Sequence, residues 1–297
     1  MQQIDIFGTS RGAAGIPPTM INASARALAL TRPCWVPYPV GSKAVDMLGR
    51  LMDAPSSHRP HCLLIHADTN MGKTVIGRRF ANQRNRPKPD AGERLVRQVV
   101  HVDSPPMADF GALIGFILRK LDAPVPTTIS LSRRIDQLLS VIATAGVRML
   151  IIDEIHNILV GRPDQRGIFL NGLKYLSNEL QIPIVLIGNI TAVRAIQTDQ
   201  QLGNRFEPFH LPRWQANGEY ACFLAGLCKA VEIDDTKAFQ SGKFVTRFHM
   251  MSEGLTGETW DLMCRAAEVA ILSGREVIDD ETLDQVTWVR PSDRRKG

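Results

Sequence analysis

The chain has 297 residues, 44% hydrophobic and 22% charged, a balance that excludes wholesale disorder and allows a sizeable core without disulfides or structural metal. Its longest apolar runs, such as 149–152 and 184–187, fall far short of the roughly 20 residues of a membrane span. Five scattered cysteines lack Cys-x-x-Cys spacing, which argues against a disulfide framework or a zinc site. A soluble cytoplasmic protein with no membrane partner is expected, and its net charge of +5 permits an anionic partner without demanding one.

Residues 1–30 carry Gly8, Gly12, Gly15 and the Pro17–Pro18 pair with little periodicity and are expected to be a mobile arm. Strands and helices then alternate. A short buried strand is expected over 61–66, followed by a helix over 74–84 that must stop before Pro87. Val96, Val99, Val100 and Val102 mark a second strand. Apolar residues at helical spacing mark helices over 110–121 and 131–142. A third strand over 147–152, a helix over 168–180, a fourth strand over 183–188 and a short fifth over 209–211 complete the pattern. Such alternation indicates a parallel sheet covered by helices. Beyond residue 214 the β-branched runs disappear and helices are expected, the clearest over 258–272. The expected division is an arm over 1–30, an α/β domain over 31–214, a helical domain over 215–290 and a basic tail over 291–297.

The segment Ala67-Asp-Thr-Asn-Met-Gly72-Lys73-Thr74 follows the first strand and opens a helix. It matches G-x-x-x-x-G-K-[ST] except at the first position, where alanine replaces glycine. In such a loop the backbone N–H groups of Asp68, Thr69, Asn70, Met71 and Gly72 turn toward a phosphate, and the helix N-terminus adds a favourable partial charge. Lys73 would reach the β- and γ-phosphates, and the Thr74 hydroxyl would hold Mg2+. The third strand ends in Asp153-Glu154, where strand ends of a parallel sheet aim acids at a ligand. Asp153 would hold Mg2+, and Glu154 would orient or deprotonate the attacking water. The fourth strand ends at Asn189, placed to sense the γ-phosphate. Arg205, just before the fifth strand, is a candidate finger for the phosphate of a neighbouring subunit, with Arg213 as its rival.

This order of elements resembles an AAA+ P-loop ATPase, a five-stranded parallel sheet followed by a small helical lid. The details resemble the TniB/TnsC family of AAA+ regulators of DNA transposition. They are Arg32-Pro-Cys-Trp35-Val-Pro-Tyr38-Pro, Leu150-Ile-Ile-Asp153-Glu154-Ile-His156-Asn157, Leu173 through Glu179 with Pro183 through Gly188, Arg205-Phe through Leu211-Pro-Arg-Trp214, and Glu253-Gly-Leu-Thr-Gly257-Glu. The resemblance covers about residues 30 to 275. It implies ATP and Mg2+ as cofactors and regulatory ATP hydrolysis, which is expected to be slow because no lid arginine sensor is expected. It also implies assembly as a ring or filament on duplex DNA, beside a DDE-type transposase and a TniQ-type target-selection protein. By the same resemblance Glu154, Asn189 and Arg205 are catalytic. Trp35, Tyr38 and Val40 are candidates to flank the adenine, an apolar slot being suited to a purine, with packing under the sheet as the alternative. One departure stands out: where many AAA+ proteins carry a lid arginine, this chain reads Gly257-Glu-Thr-Trp260.

A scaffold that accepts any target should contact phosphates rather than base edges, so its binding should tolerate sequence and respond to salt. Arg97, Arg119, Lys120, Arg133 and Arg134 are the candidate DNA contacts. The alternative to a DNA scaffold is a protein remodeller or helicase loader, which needs a pore loop; no aromatic-Gly signature occurs between Ser104 and Asp109.

Overall fold

The computed structural model describes Arg26, Leu30 and residues 35–55, 57–85, 97–125 and 128–295. The expected arm, apart from Arg26 and Leu30, lies outside the described residues, as do Arg32, Val96 and Lys296. The chain divides into two compact units. One comprises residues 43–69 and 73–211, and the other the described part of 1–42 together with 70–72 and 212–297.

The first unit is built on five parallel strands: β1 (Cys62–His66), β2 (Val99–Asp103), β3 (Met149–Asp153), β4 (Ile184–Gly188) and β5 (Phe206–His210), in the spatial order β2-β3-β4-β1-β5. Every residue of β1, β3 and β4 is buried, as expected of central parallel strands covered on both faces, and this is why they read as continuous apolar runs. β5 buries only Phe206 and Phe209. It starts three residues before the expected 209, because the edge position lets Glu207 and Pro208 face outward and masks the strand pattern.

The helices are α1 (Pro39–Asp53), α2 (Lys73–Arg84), α3 (Phe110–Lys120), α4 (Leu131–Ala145), α5 (Pro163–Glu179), α6 (Ile190–Gln197) and α7 (Gln200–Gly203). In α1, Ala44, Leu48 and Met52 are buried at i, i+4 and i+8. Ser130 caps α4 by accepting from the Arg133 N–H, and Gly146 closes it in the left-handed conformation. α5 begins five residues before the expected 168, because Pro163 suits a first helical turn, where its missing N–H is not needed.

The second unit holds α8 (Gly218–Ala230), α9 (Gly242–Ser252), α10 (Thr256–Leu272) and α11 (Asp280–Gln285). Its core gathers Phe223, Leu224, Leu227, Phe244, Phe248 and Met263. Tyr220 is fully buried there, and its hydroxyl is satisfied by Ser252 Oγ and Thr259 Oγ1, each at 3.0 Å. Among the described residues no helix is long and apolar enough to cross a membrane.

Candidate nucleotide-binding site

All five strands point the same way, so their carboxyl ends share one edge, where ligands of open α/β sheets bind. The pairing registers His66 with Gly188 and Asp103 with Asp153, which aligns the loop after β1 with the acids ending β3. Gly188 is required for this approach: a Cβ there would stand 2.9 Å from both Ile155 and Ala192.

The loop leaving β1 curls through two left-handed residues, Asn70 (φ 65°) and Gly72 (φ 78°), a curvature of the kind that turns successive N–H groups to one side. Lys73 opens α2 and is buried; its Nζ donates to the carbonyl oxygens of Ala67 (3.1 Å) and Asp68 (2.6 Å). Burial lowers the Lys73 pKa, opposed by the carboxylates of Glu154, Asp153 and Asp68. Asp68, Thr69 and Asn70 are exposed, Met71 is buried, and Gly72 and Thr74 are intermediate. Within the second unit the Asn70 carbonyl accepts from the Gly257 N–H (2.8 Å), and Asn70 Nδ2 donates to Glu258 Oε1 (3.1 Å).

Asp153 is buried at 1% exposure, and its Oδ1 accepts the Glu154 N–H at 2.7 Å. Burial alone would raise its pKa, but the side chains of His101 and Thr74 and the Glu154 N–H outweigh burial and hold it below the usual carboxylate range. Its other oxygen, Oδ2, is buried without a well-aligned hydrogen-bond partner among the described residues, with His101 Nε2 standing 3.5 Å away. An ionised carboxylate with an orphaned oxygen, beside a threonine hydroxyl, is a hard-oxygen donor set that fits Mg2+. Glu154 adopts the left-handed region (φ 53°, ψ 33°), and its Oε2 lies 3.2 Å from His156 Nε2.

Asn189 caps α6, its Oδ1 accepting from the N–H groups of Thr191 and Ala192 and from the Thr191 hydroxyl. Only its amide NH2 is left to meet a phosphate. Arg205 lies at the amino end of β5, on the opposite sheet edge from Lys73 and Asp153, and donates to Ser177 Oγ at 2.7 Å. Tyr38 packs against Trp35, Trp214 and Phe223 at centroid distances of 5.9, 5.2 and 5.5 Å, in the aromatic part of the second unit's core.

The five candidate DNA contacts separate into two places. Arg97, Arg119 and Lys120 line one groove of about 470 Å3 with Arg78, Asn82 and Asn85. There Arg97 pairs with Asp122 at 2.6 Å and donates to the Lys120 carbonyl, while Arg119 stacks over Phe116. Arg133 and Arg134 occupy the first turn of α4, and Arg134 approaches Gly111 at the start of α3.

Four histidines line this region: His66 and His210, stacked at 4.9 Å on neighbouring strands, and His101 and His156, one against each acid. The pattern that places His101 is strand alternation, which sends every second residue of β2 to one face. For His66 and His210 only their nearness in sequence to strand ends could have drawn notice, while His156 stands in the segment of the acid pair itself.

The family described as Bacterial TniB protein matches residues 26–216. The chain belongs to the TniB family. None of the curated proteins compared matches this TniB chain in sequence. Solved structures resemble its fold. Cdc6p from Pyrobaculum aerophilum aligns with TM-score 0.60 and 16% identity, covering 84% of this chain and 67% of that one. The ORC2 protein of Aeropyrum pernix, in ADPNP-ADP complexes, gives 0.59 and 13%, covering 83% and 66%. The ORC1 protein of the same organism, in complex with DNA, gives 0.57 and 18%, covering 91% and 69%. The TniB chain thus spans about two thirds of the length of these proteins, and its fold is that of AAA+ P-loop ATPases.

Proposed function

We propose that this chain is an ATP-dependent regulator of DNA transposition. It binds ATP with Mg2+, oligomerises on duplex DNA without regard to sequence, links a TniQ-type target-selection protein to a DDE-type transposase, and leaves the DNA after slow hydrolysis. The observation that carries this reading is the TniB match over 26–216, which encloses a phosphate loop and an acid pair held at one sheet edge.

The chemistry follows from the residues in place. Thr74 and the orphaned Asp153 oxygen would hold Mg2+, which when bound neutralises charge on the phosphate oxygens. Lys73, whose buried Nζ donates to the carbonyls of Ala67 and Asp68 at the phosphate loop, would donate to the phosphate oxygens. Glu154 positions the water and accepts its proton, since phosphoryl transfer asks for placement more than covalent help. Asn189 reaches the γ-phosphate through its amide NH2, and Arg205 serves the nucleotide of a neighbouring subunit. Trp35 and Tyr38 remain the candidates for the adenine. Hydrolysis can act as a switch only if the ATP and ADP states differ in affinity for DNA or for the next subunit.

For DNA, the groove holding Arg78, Arg97, Arg119 and Lys120 is the better candidate because it gathers four cations against two carboxylates, Asp103 and Asp122. Arg133 and Arg134 support the reading differently. Cations in the first turn of α4 oppose the helix dipole, so helix stability does not account for them. Among the fold relatives, the Aeropyrum pernix ORC1 structure is a complex with DNA.

The test is duplex-DNA binding by fluorescence anisotropy at one fixed salt concentration with ATP, with ADP and without nucleotide, using Lys73→Ala as control. Cooperative binding with ATP, lost with ADP and in the variant, supports the scaffold. Absence of DNA binding in every state overturns it and favours a protein remodeller.

A further inference from the structure

We infer that His156 is a positioning residue for hydrolysis, one that fixes the carboxylate of Glu154 from a rigid base; the inference rests on the ATPase reading above. Glu154 is the last link between β3 and the short 3-10 turn Ile155–Leu159, and its side chain is 45% exposed. A glutamate has three free torsions, and a half-exposed one samples many positions unless something holds it. Asp153 differs: it is buried, its Oδ1 accepts the Glu154 N–H, and His101 of β2 stands 3.5 Å from its Oδ2.

The side chain of Glu154 meets His156, whose Nε2 stands 3.2 Å from Oε2. The ring is well placed to do this work. The two residues that bracket it, Ile155 and Ile158, are fully buried, which pins the turn to the core. The turn is further tied by the Asn157 N–H donating to the Glu154 carbonyl (2.9 Å) and by Asn157 Nδ2 reaching the Ser104 carbonyl (3.4 Å). The backbone of Glu154 is also committed, in a left-handed conformation that a β-carbon disfavours. The Glu154 N–H is thus tied to Asp153 Oδ1, and its carboxylate stands within 3.2 Å of the imidazole. The His156 Nδ1 is buried without a partner among the described residues, and the ring's polar contact is made through Nε2, toward Glu154.

A base held in this way attacks from one geometry, and losing the holder should slow turnover without weakening nucleotide binding. The experiment measures ATP hydrolysis against ATP concentration, with saturating duplex DNA, for the full chain and for Glu154→Gln, His156→Ala and His156→Gln. His156→Ala should lower kcat about tenfold with KM within about twofold, the scale on which a misplaced catalytic group costs rate. Glutamine keeps an N–H at nearly the same reach, so His156→Gln should recover kcat to within about threefold of the parent chain. A kcat for His156→Ala within about twofold of the parent chain, or a failure of glutamine to rescue, overturns the inference. A loss expressed as a raised KM also overturns it, because that marks damage to binding. If the parent chain hydrolyses no faster than Glu154→Gln, the ATPase reading itself fails, a result told apart by the parent rate alone.

Discussion

Arg205 Nη1 donates to Ser177 Oγ across 2.7 Å, and Ser177 is fully buried on α5. The guanidinium thus rests inside its own subunit, at the amino end of a strand whose length of about 17 Å separates it from the carboxyl edge. It cannot serve its own chain's phosphates, so a catalytic role requires a neighbour. Arg205→Ala should leave nucleotide affinity within about twofold and lower hydrolysis by the assembled protein about a thousandfold. Lys73→Ala supplies the complementary defect, an intact Arg205 with a broken pocket. An equimolar mixture of the two variants should regain part of the lost activity, and a mixture as inert as its parts would exclude action between subunits.

Gly188 gives a prediction about stability. The Cβ of alanine would press on Ile155 Cγ2 and Ala192 Cβ, both at 2.9 Å, at the junction of β4 with the turn that carries Glu154. Gly188→Ala should destabilise the protein by about 2 kcal/mol, the usual cost of overpacking a tight core. Thermal unfolding would read this as a lower Tm, and an unchanged Tm would mean the turn can shift at little cost.

His66 sets a pH dependence whose sign can be worked out. Its pKa is held below 6.5, first by burial and then by His210 and Lys73. Well above pH 6.5 the folded and unfolded chains both keep His66 neutral, so its contribution is fully present. As pH falls through that value the unfolded chain takes up a proton that the folded chain resists, and stability drops until the folded pKa is reached. The urea midpoint should therefore fall between about pH 7.5 and pH 5.5, and fall less in His66→Asn. Equal slopes in the two proteins would refute the assignment to His66.

The site residues that chain order announces are those attached to strand ends. Lys73, Asp153 and Asn189 follow apolar runs that only central parallel strands produce. What escaped is set by partners distant in sequence. His101 meets Asp153 because β2 pairs with β3, and Arg78 joins Arg97 and Lys120 because α2 lies beside the edge strand. No spacing rule within a segment encodes such meetings. The alternation of β5 was hidden for a related reason, an edge strand being free to expose Glu207 and Pro208. Asn189 was legible as a position but not as a commitment, since its carbonyl serves the helix that follows.

The end of the chain is more tightly held than its basic composition indicates. Arg294 donates to Glu258 through Nη1 (3.0 Å to Oε1), and its Nη2 stands 2.9 Å from Oε2, while its guanidinium stacks on Trp288. Glu258 is 7% exposed and sits in the first turn of α10, where an acid is favoured by the helix dipole. Arg294→Ala would leave that buried carboxylate with Asn70 Nδ2 as its remaining side-chain donor. The expected cost is about 1–3 kcal/mol, toward the lower end because Arg294 itself is 42% exposed and partly screened. Much of this cost is the unpaired charge rather than the value of the pair, so adding Glu258→Gln to Arg294→Ala should restore part of the loss. Chemical denaturation of the parent chain, the two single variants and the double variant would measure it. A double variant less stable than Arg294→Ala alone would show that the Glu258 carboxylate gains more from the helix dipole and Asn70 than it loses as an unpaired charge.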